Sequence, residues 1–241
     1  NDFSTQTPPK FNSLSNIKSI NILNLKKNVG SQKAISIGLK HLETFKKDMI
    51  ITILDSDGED DTEKIPAMIE LAERENDKVI VSTRTKRHEN QLFKLLYPVH
   101  KLLTFIFTLQ WISFGNFSSF SSIQLKNILR NNSSWLAFSA SVAKNCKLIK
   151  IKAERKKRID GVSKLSFYGL ILHSLRVNAV FFYRAFVLSV FYTSLILYIG
   201  IGLSLKIFIL VFIILFNSLL LLTLLLNNQK EFKSSINLIK S

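Results

Sequence analysis

Two uncharged runs, residues 185–205 and 207–229, are separated by the single Lys206. Each has the roughly 20 residues that a helix needs to cross a bilayer core. Hydrocarbon offers the backbone no hydrogen-bond partners, so a spanning segment must be helical. A buried helix of a large soluble protein is the competing reading, but two such runs broken by one lysine fit a transmembrane hairpin better. Arg176 and Arg184 precede the hairpin, and Lys230, Lys233 and Lys240 follow it. The positive-inside rule then places both ends in the cytosol, which predicts a multi-pass protein of the cytoplasmic (inner) membrane.

The chain before the hairpin alternates between strand and helix patterns. Residues 20–25 partly alternate and read as a strand, and residues 31–44 as a helix. Residues 49–54 form a continuous β-rich run, as expected for a strand covered on both faces. Residues 62–75 read as a second helix, with Thr62 as N-cap and Glu63 in its first turn. Residues 79–81 are a further short strand. This order predicts an α/β domain with a mostly parallel, Rossmann-like sheet, in which ligands bind at the carboxyl ends of the strands. Residues 92–114 and 165–182 are apolar but carry Lys94, Lys101 and Arg176, and read as helices lying in the membrane interface.

Lysine and arginine outnumber aspartate and glutamate by 33 to 17, giving a net charge of +16. Such an excess suits nucleic acid, an anionic membrane or phosphorylated substrates. No nucleic-acid signature accompanies it, whereas the basic residues sit beside apolar stretches, which favours the membrane. The single cysteine, Cys146, excludes an internal disulfide and reads as core filler. The four histidines lack metal-ligand spacing.

Three groups of residues carry chemistry. Asp55-Ser56-Asp57, continuing into Gly58-Glu59-Asp60-Asp61, directly follows the strand at 49–54. Two carboxylates one residue apart can hold a divalent cation between protein and diphosphate, and hard oxygen ligands suit Mg²⁺ or Mn²⁺. A plain acidic turn is the alternative. The second group is Arg155, Lys156, Lys157, Arg158, Gly161, Ser163 and Lys164. Cations with a hydroxyl and a flexible glycine suit a diphosphate or a lipid phosphate. Arg155, Arg158, Ser163 and Lys164 are the stronger candidates, and Lys156 and Lys157 fit a membrane-attracting patch equally well. The third group is Arg84, Lys86 and Arg87 after the strand at 79–81. There Arg84 is the candidate for the nucleotide, while Lys86 and Arg87 read as solvated charge.

The order Asn28-Val29-Gly30, Lys33-Ala34, Leu54-Asp55-Ser56-Asp57-Gly58-Glu59-Asp60, Ile65-Pro66, Ser82-Thr83-Arg84 and Gly161-x-Ser163-Lys164 resembles family-two glycosyltransferases. Within them it is most similar to the dolichol-phosphate mannosyltransferase and bacterial polyprenyl-phosphate glycosyltransferase group, over residues 1–183. The resemblance implies a GT-A fold, a nucleotide-sugar donor and inversion at the anomeric carbon. It also implies that Asp55 and Asp57 bind the metal and that Asp2 stands for an acidic nucleotide-site residue. Glu59 stands where the lipid-phosphate branch often has Gln, and Gly58 where it often has Leu. A βα unit of ~30 residues precedes this point in the family. Relatives that glycosylate a sugar hydroxyl carry a downstream acidic base, whereas here residues 114–119 hold no carboxylate. A phosphate acceptor is already anionic and needs no base.

The expected organisation is a GT-A catalytic domain over residues 1–164, an interfacial amphipathic helix over 165–183, a transmembrane hairpin over 184–229 and a cytosolic tail over 230–241. The expected function is metal-dependent transfer of a sugar from a nucleotide-sugar donor to a membrane polyprenyl phosphate. Asp57 and Arg158 are the expected catalytic residues, and Asp2, Glu59, Arg84, Arg155, Ser163 and Lys164 the expected substrate contacts. A saccharide acceptor in cell-envelope synthesis and a non-catalytic membrane scaffold are the alternatives. Nucleic acid is not an expected partner, and self-association into a homo-oligomer is left open.

Overall fold

The computed structural model describes residues 1–3, 17–84, 91–154, 156, 167–227 and 229–240, with Arg84 and residues 91–97 described by their backbone only. Helix α1 spans Ser31–Glu43, strand β1 Ile50–Ile53, helix α2 Ile65–Arg74 and strand β2 Lys78–Arg84. Helix α3 (Gln91–Thr108) leads to strand β3 (Phe114–Ser121), and short helices α4 (Leu125–Ile128), α5 (Ser133–Leu136) and α6 (Phe138–Asn145) precede strand β4 (Lys147–Ala153). Helices α7 (Phe167–Ala179), α8 (Phe182–Tyr198), α9 (Leu203–Leu225) and α10 (Gln229–Lys233) complete the chain.

The sheet order is β1-β3-β2-β4. Strands β1, β2 and β4 run in one direction, but β3 is inserted antiparallel between β1 and β2, so among the described strands only β2 and β4 form a parallel pair. The expectation of a mostly parallel ladder therefore holds for strand direction and not for pairing. Residues 20–25 form no strand. Ile20 and Ile22 stay exposed, and only the buried Leu25 makes a single bridge, to Ile239. The expected cap at Thr62 also differs. Thr62–Lys64 is a 3₁₀ turn, and α2 begins after it with Pro66 in its first turn, where a missing N–H costs nothing.

Strand alternation sends side chains to two layers. Val79, Val81, Ile51 and Phe120 pack with Ile37 and Leu39 of α1, with Ile128 and with Trp135, Phe138 and Val142 of α5 and α6. On the opposite face Ile80 and Phe117 pack with Met68 and Ala72 of α2. Burying each large apolar side chain is worth roughly 1.5–3 kcal/mol, so this two-sided burial fixes the register of β3 against both neighbours.

Helix α9 is long and apolar enough to cross a bilayer, and it exposes Phe208, Ile214, Leu215, Leu222 and Leu225. Its inner face carries Ile213 and Leu220, which join Phe107 of α3, Ala140 of α6 and Val177 of α7 in a separate core. Helices α7 and α8 meet at 87°. The connection between α8 and α9 lies at residues 199–202 and not at Lys206, because Gly200 and Gly202 break the helix while a lysine does not. Lys206 sits in the first turn of α9 and donates from Nζ to the Leu197 carbonyl at 3.2 Å. Such a reach lets the charge leave the apolar surface.

The tail returns to the α/β domain. Phe232 stacks edge-on with Trp135, Glu231 accepts from Lys33 at 2.8 Å and Lys27 at 3.3 Å, and Lys40 donates to the Phe232 carbonyl at 2.7 Å. Lys240 N–H donates to the Asn24 carbonyl at 2.7 Å. The ends of the α8–α9 pair thus lie on the same side as the α/β domain.

A polar cluster joins α3 to α7. His100 Nδ1 lies 2.6 Å from Ser174 Oγ, and Asn178 Nδ2 donates to Thr104 Oγ1 at 3.2 Å. Burial, with His173 and Lys101 nearby, pushes the His100 pKa down to about 4. Its imidazole is therefore neutral near pH 7.

Candidate active site

Because β1, β2 and β4 share a direction, their carboxyl ends share one edge of the sheet, and the amino end of β3 joins them there. Asp55 follows β1, Arg84 ends β2, Lys156 follows β4 and Asn116 lies near the start of β3. Four segments far apart in sequence thereby converge.

The acidic loop is ordered by its own carboxylates. The Asp55 N–H donates to Asp60 Oδ2 at 3.0 Å, and the Glu59 N–H donates to Asp57 Oδ1 at 3.1 Å. Gly58 between them has φ 75°, a left-handed conformation that a Cβ disfavours. Asp60 and Asp61 are buried at 7 % exposure each, whereas Asp55, Asp57 and Glu59 are the loop's outer carboxylates. Asp55 Oδ1 accepts from Asn116 Nδ2 at 3.0 Å.

Lys156 is bound into this loop. Its N–H donates to the Glu59 carbonyl at 2.9 Å, and its Nζ lies 2.9 Å from Glu63 Oε1 and 3.2 Å from Asp61 Oδ1. Hydrogen bonds that it donates to Glu63 and Asp61 raise its pKa. The reading of Lys156 as a membrane-attracting cation gives way to this pairing, which spans 93 residues of sequence and is invisible in local composition. Arg155, Lys157, Arg158, Gly161, Ser163 and Lys164 lie outside the described residues, as do Lys86 and Arg87. The Arg84 backbone ends β2 at the common edge, paired with Ala153.

Asp2 engages both carboxylate oxygens at the start of α1. Oδ1 accepts from the Val29 N–H at 2.7 Å and Oδ2 from the Gly30 N–H at 2.8 Å. A carboxylate there satisfies helix-terminal donors and complements the helix dipole. Gly30, at φ 84° and ψ 153°, occupies a region essentially restricted to glycine. Glu59 meets Lys156 through its backbone carbonyl.

Among the described residues no group of three or more His, Cys, Asp or Glu is arranged to hold a metal. The pair Asp55 and Asp57 still fits Mg²⁺ or Mn²⁺, because such ions in diphosphate sites take one or two protein carboxylates and fill the remaining positions with phosphate oxygens and water. Cys146 follows α6, and burial pushes its thiol up to about 12, so it stays a protonated filler at neutral pH.

Asn116 escaped the sequence reading. Its signal was its place in a stretch of Ser, Asn and Phe without a carboxylate, and only the β1–β3 pairing reveals its partner.

No curated protein matches the chain. The family model described as Glycosyl transferase family 2 matches residues 2–141, which is more than half of the chain. The matched segment runs from Asp2 through the acidic loop and β3 to α6, so the residues gathered at the sheet edge up to Asn116 fall within it. With a mixed α/β domain consistent with a GT-A fold and this match, the chain belongs to glycosyl transferase family 2.

Proposed function

We propose that the protein is a metal-dependent, inverting glycosyltransferase of the polyprenyl-phosphate branch, moving a sugar from a nucleoside-diphosphate sugar to a membrane lipid phosphate. One observation carries the reading: Lys156 ties the start of the basic segment to the Asp55–Asp57 loop, on a domain packed against an apolar helix long enough to span a bilayer. Donor diphosphate, cationic residues and lipid surface then have a common meeting place.

In this reading Asp55 and Asp57 hold Mg²⁺ or Mn²⁺, which neutralises charge growing on the departing nucleoside diphosphate. Asp2 holds the turn at residues 28–30 and so shapes the nucleotide pocket, while Arg84 and Glu59 line the donor side. Arg155, Arg158, Ser163 and Lys164 receive the two phosphate groups. A lipid-phosphate oxygen attacks the anomeric carbon from the face opposite the diphosphate. The new carbon–oxygen bond forms as the bond to the diphosphate breaks, and configuration inverts. The acceptor oxygen carries no proton to remove, so no base is needed. Asn116 is an amide bonded to Asp55, which agrees with that economy. Helices α8 and α9 form the membrane hairpin, with the α/β domain and the tail on the cytosolic side.

Calorimetry with a panel of nucleoside-diphosphate sugars tests the donor site. Binding should require Mn²⁺ or Mg²⁺ and vanish in Asp57→Asn. Equal binding in excess chelator contradicts the metal-dependent site.

A further inference from the structure

Asn116 stands opposite Asp55 when the β1–β3 register is continued past its last pair, Ile53 with Ser118. On its other side β3 bulges. Gly115, Asn116 and Phe117 lie between Phe114 and Ser118, the partners of Thr83 and Val81, where β2 has only Ser82. Bulges beside functional sites re-aim side chains. The bulge leaves the alternation of β3 intact, so Phe117 faces α2 while Phe114 and Phe120 face α1.

Behind Asn116 stands a second amide. Gln32 Nε2, from the first turn of α1, donates to Asn116 Oδ1 at 3.3 Å, and Gln32 Oε1 accepts from the Phe138 N–H at 2.7 Å. Phe138 is the first residue of α6, whose N–H has no carbonyl partner within that helix. A backbone N–H cannot reverse its polarity. It fixes the oxygen of Gln32, which directs the Gln32 nitrogen at the Asn116 oxygen, which in turn directs the Asn116 nitrogen at Asp55. All three bonds run donor to acceptor toward the carboxylate, so each polarises the next.

We propose that Phe138 N–H, Gln32 and Asn116 form a one-way amide relay whose task is to orient Asp55, holding Oδ1 so that Oδ2 is presented to the divalent cation. This rests on the assignment of Asp55 as a cation ligand. Gln32 and Asn116 are positioning residues, and they link two helix termini and the sheet edge to a single carboxylate oxygen.

The test uses the full chain in detergent, with Mn²⁺ alone as the probe and free Mn²⁺ followed by electron paramagnetic resonance. Asn116→Ala and Gln32→Ala should weaken Mn²⁺ binding about 10–100-fold, the usual effect of losing a group that orients a metal ligand. Gln32→Glu carries the distinctive result. The glutamate still accepts from the Phe138 N–H and fills the same space, but it has no N–H for Asn116. The Asn116 amide then reverses and turns its oxygen on Asp55, so Gln32→Glu should bind Mn²⁺ more weakly than Gln32→Ala, with an unchanged melting temperature. A merely structural role predicts the opposite order, and that order overturns the relay. Wild-type Mn²⁺ affinity in Asn116→Ala and both Gln32 variants, with Asp55→Asn impaired, also overturns it while sparing the metal site. Wild-type affinity in Asp55→Asn overturns the metal assignment itself, and the relay's role with it.

Discussion

Lys156 Nζ lies 3.2 Å from Asp61 Oδ1, and this ion pair fastens the end of β4 to the loop that carries Asp55 and Asp57. The Lys156 N–H bond to the Glu59 carbonyl adds a backbone tie at the same point. Lys156→Ala removes the first and keeps the second. The loop should then keep its path but lose its exact placement, and small misplacements of reacting groups cost up to about 100-fold in rate. Turnover should fall by about tenfold or more, and the melting temperature should fall with it, because Asp61 is left as a buried carboxylate without its cation. Steady-state kinetics beside thermal unfolding check this; full activity would leave Lys156 a surface cation.

Asp57→Asn should abolish activity without unfolding the domain. Asp57 Oδ1 accepts the Glu59 N–H, a bond that an asparagine oxygen also makes, so the turn survives. The lost charge removes several kcal/mol of transition-state stabilisation from a metal clamp. Near-wild-type turnover at saturating Mn²⁺ would refute the assignment.

The docking of α3 on α7 should weaken in acid. His100 is held neutral by burial, with a pKa of about 4 against an ordinary value near 6.5. Between those values the unfolded chain takes up a proton that the folded site refuses, so stability is present above pH 6.5 and is lost as pH falls toward 4. Thermal unfolding in detergent should show a falling midpoint from pH 7 to pH 5, and His100→Gln should flatten that slope. An identical slope in the variant would assign the pH dependence elsewhere.

The path of the chain makes a topological prediction. Reporter domains inserted at residues 199–202 and fused after residue 241 should report opposite sides of the membrane. The tail holds Trp135, Lys33 and Lys40 of the α/β domain, so the second reporter should share that domain's side. Two reporters on one side would rule out the α8–α9 hairpin.

What the sequence disclosed, and what it hid, follows from locality. Strand β1 is legible because Ile50, Ile51, Thr52 and Ile53 form a continuous β-branched run, and the acidic loop because it follows at once. Strand β3 is not. Its serines and Asn116 mask the three phenylalanines, which recur every third residue and so divide between the two faces instead of marking one. The bond from Asn116 to Asp55 spans 61 residues, so no local pattern could announce it. Lys156 resembled its basic neighbours until the fold set it against Asp61 and Glu63. Hydropathy locates the apolar helices α8 and α9, but Gly200 and Gly202, and not the charge of Lys206, decide where the chain turns between them. Residues 20–25 had a strand's composition and lacked a partner strand, since sheet formation depends on a neighbour.

The central claim is that the acceptor is a lipid phosphate. Incubation of the full chain with polyprenyl phosphate, Mn²⁺ and a panel of nucleoside-diphosphate sugars carrying radiolabel in the sugar decides it. The account predicts label that partitions into the organic phase, requires both lipid phosphate and Mn²⁺, and disappears in Asp57→Asn. Label that instead stays in the aqueous phase on a saccharide, with none extractable into organic solvent, would contradict it.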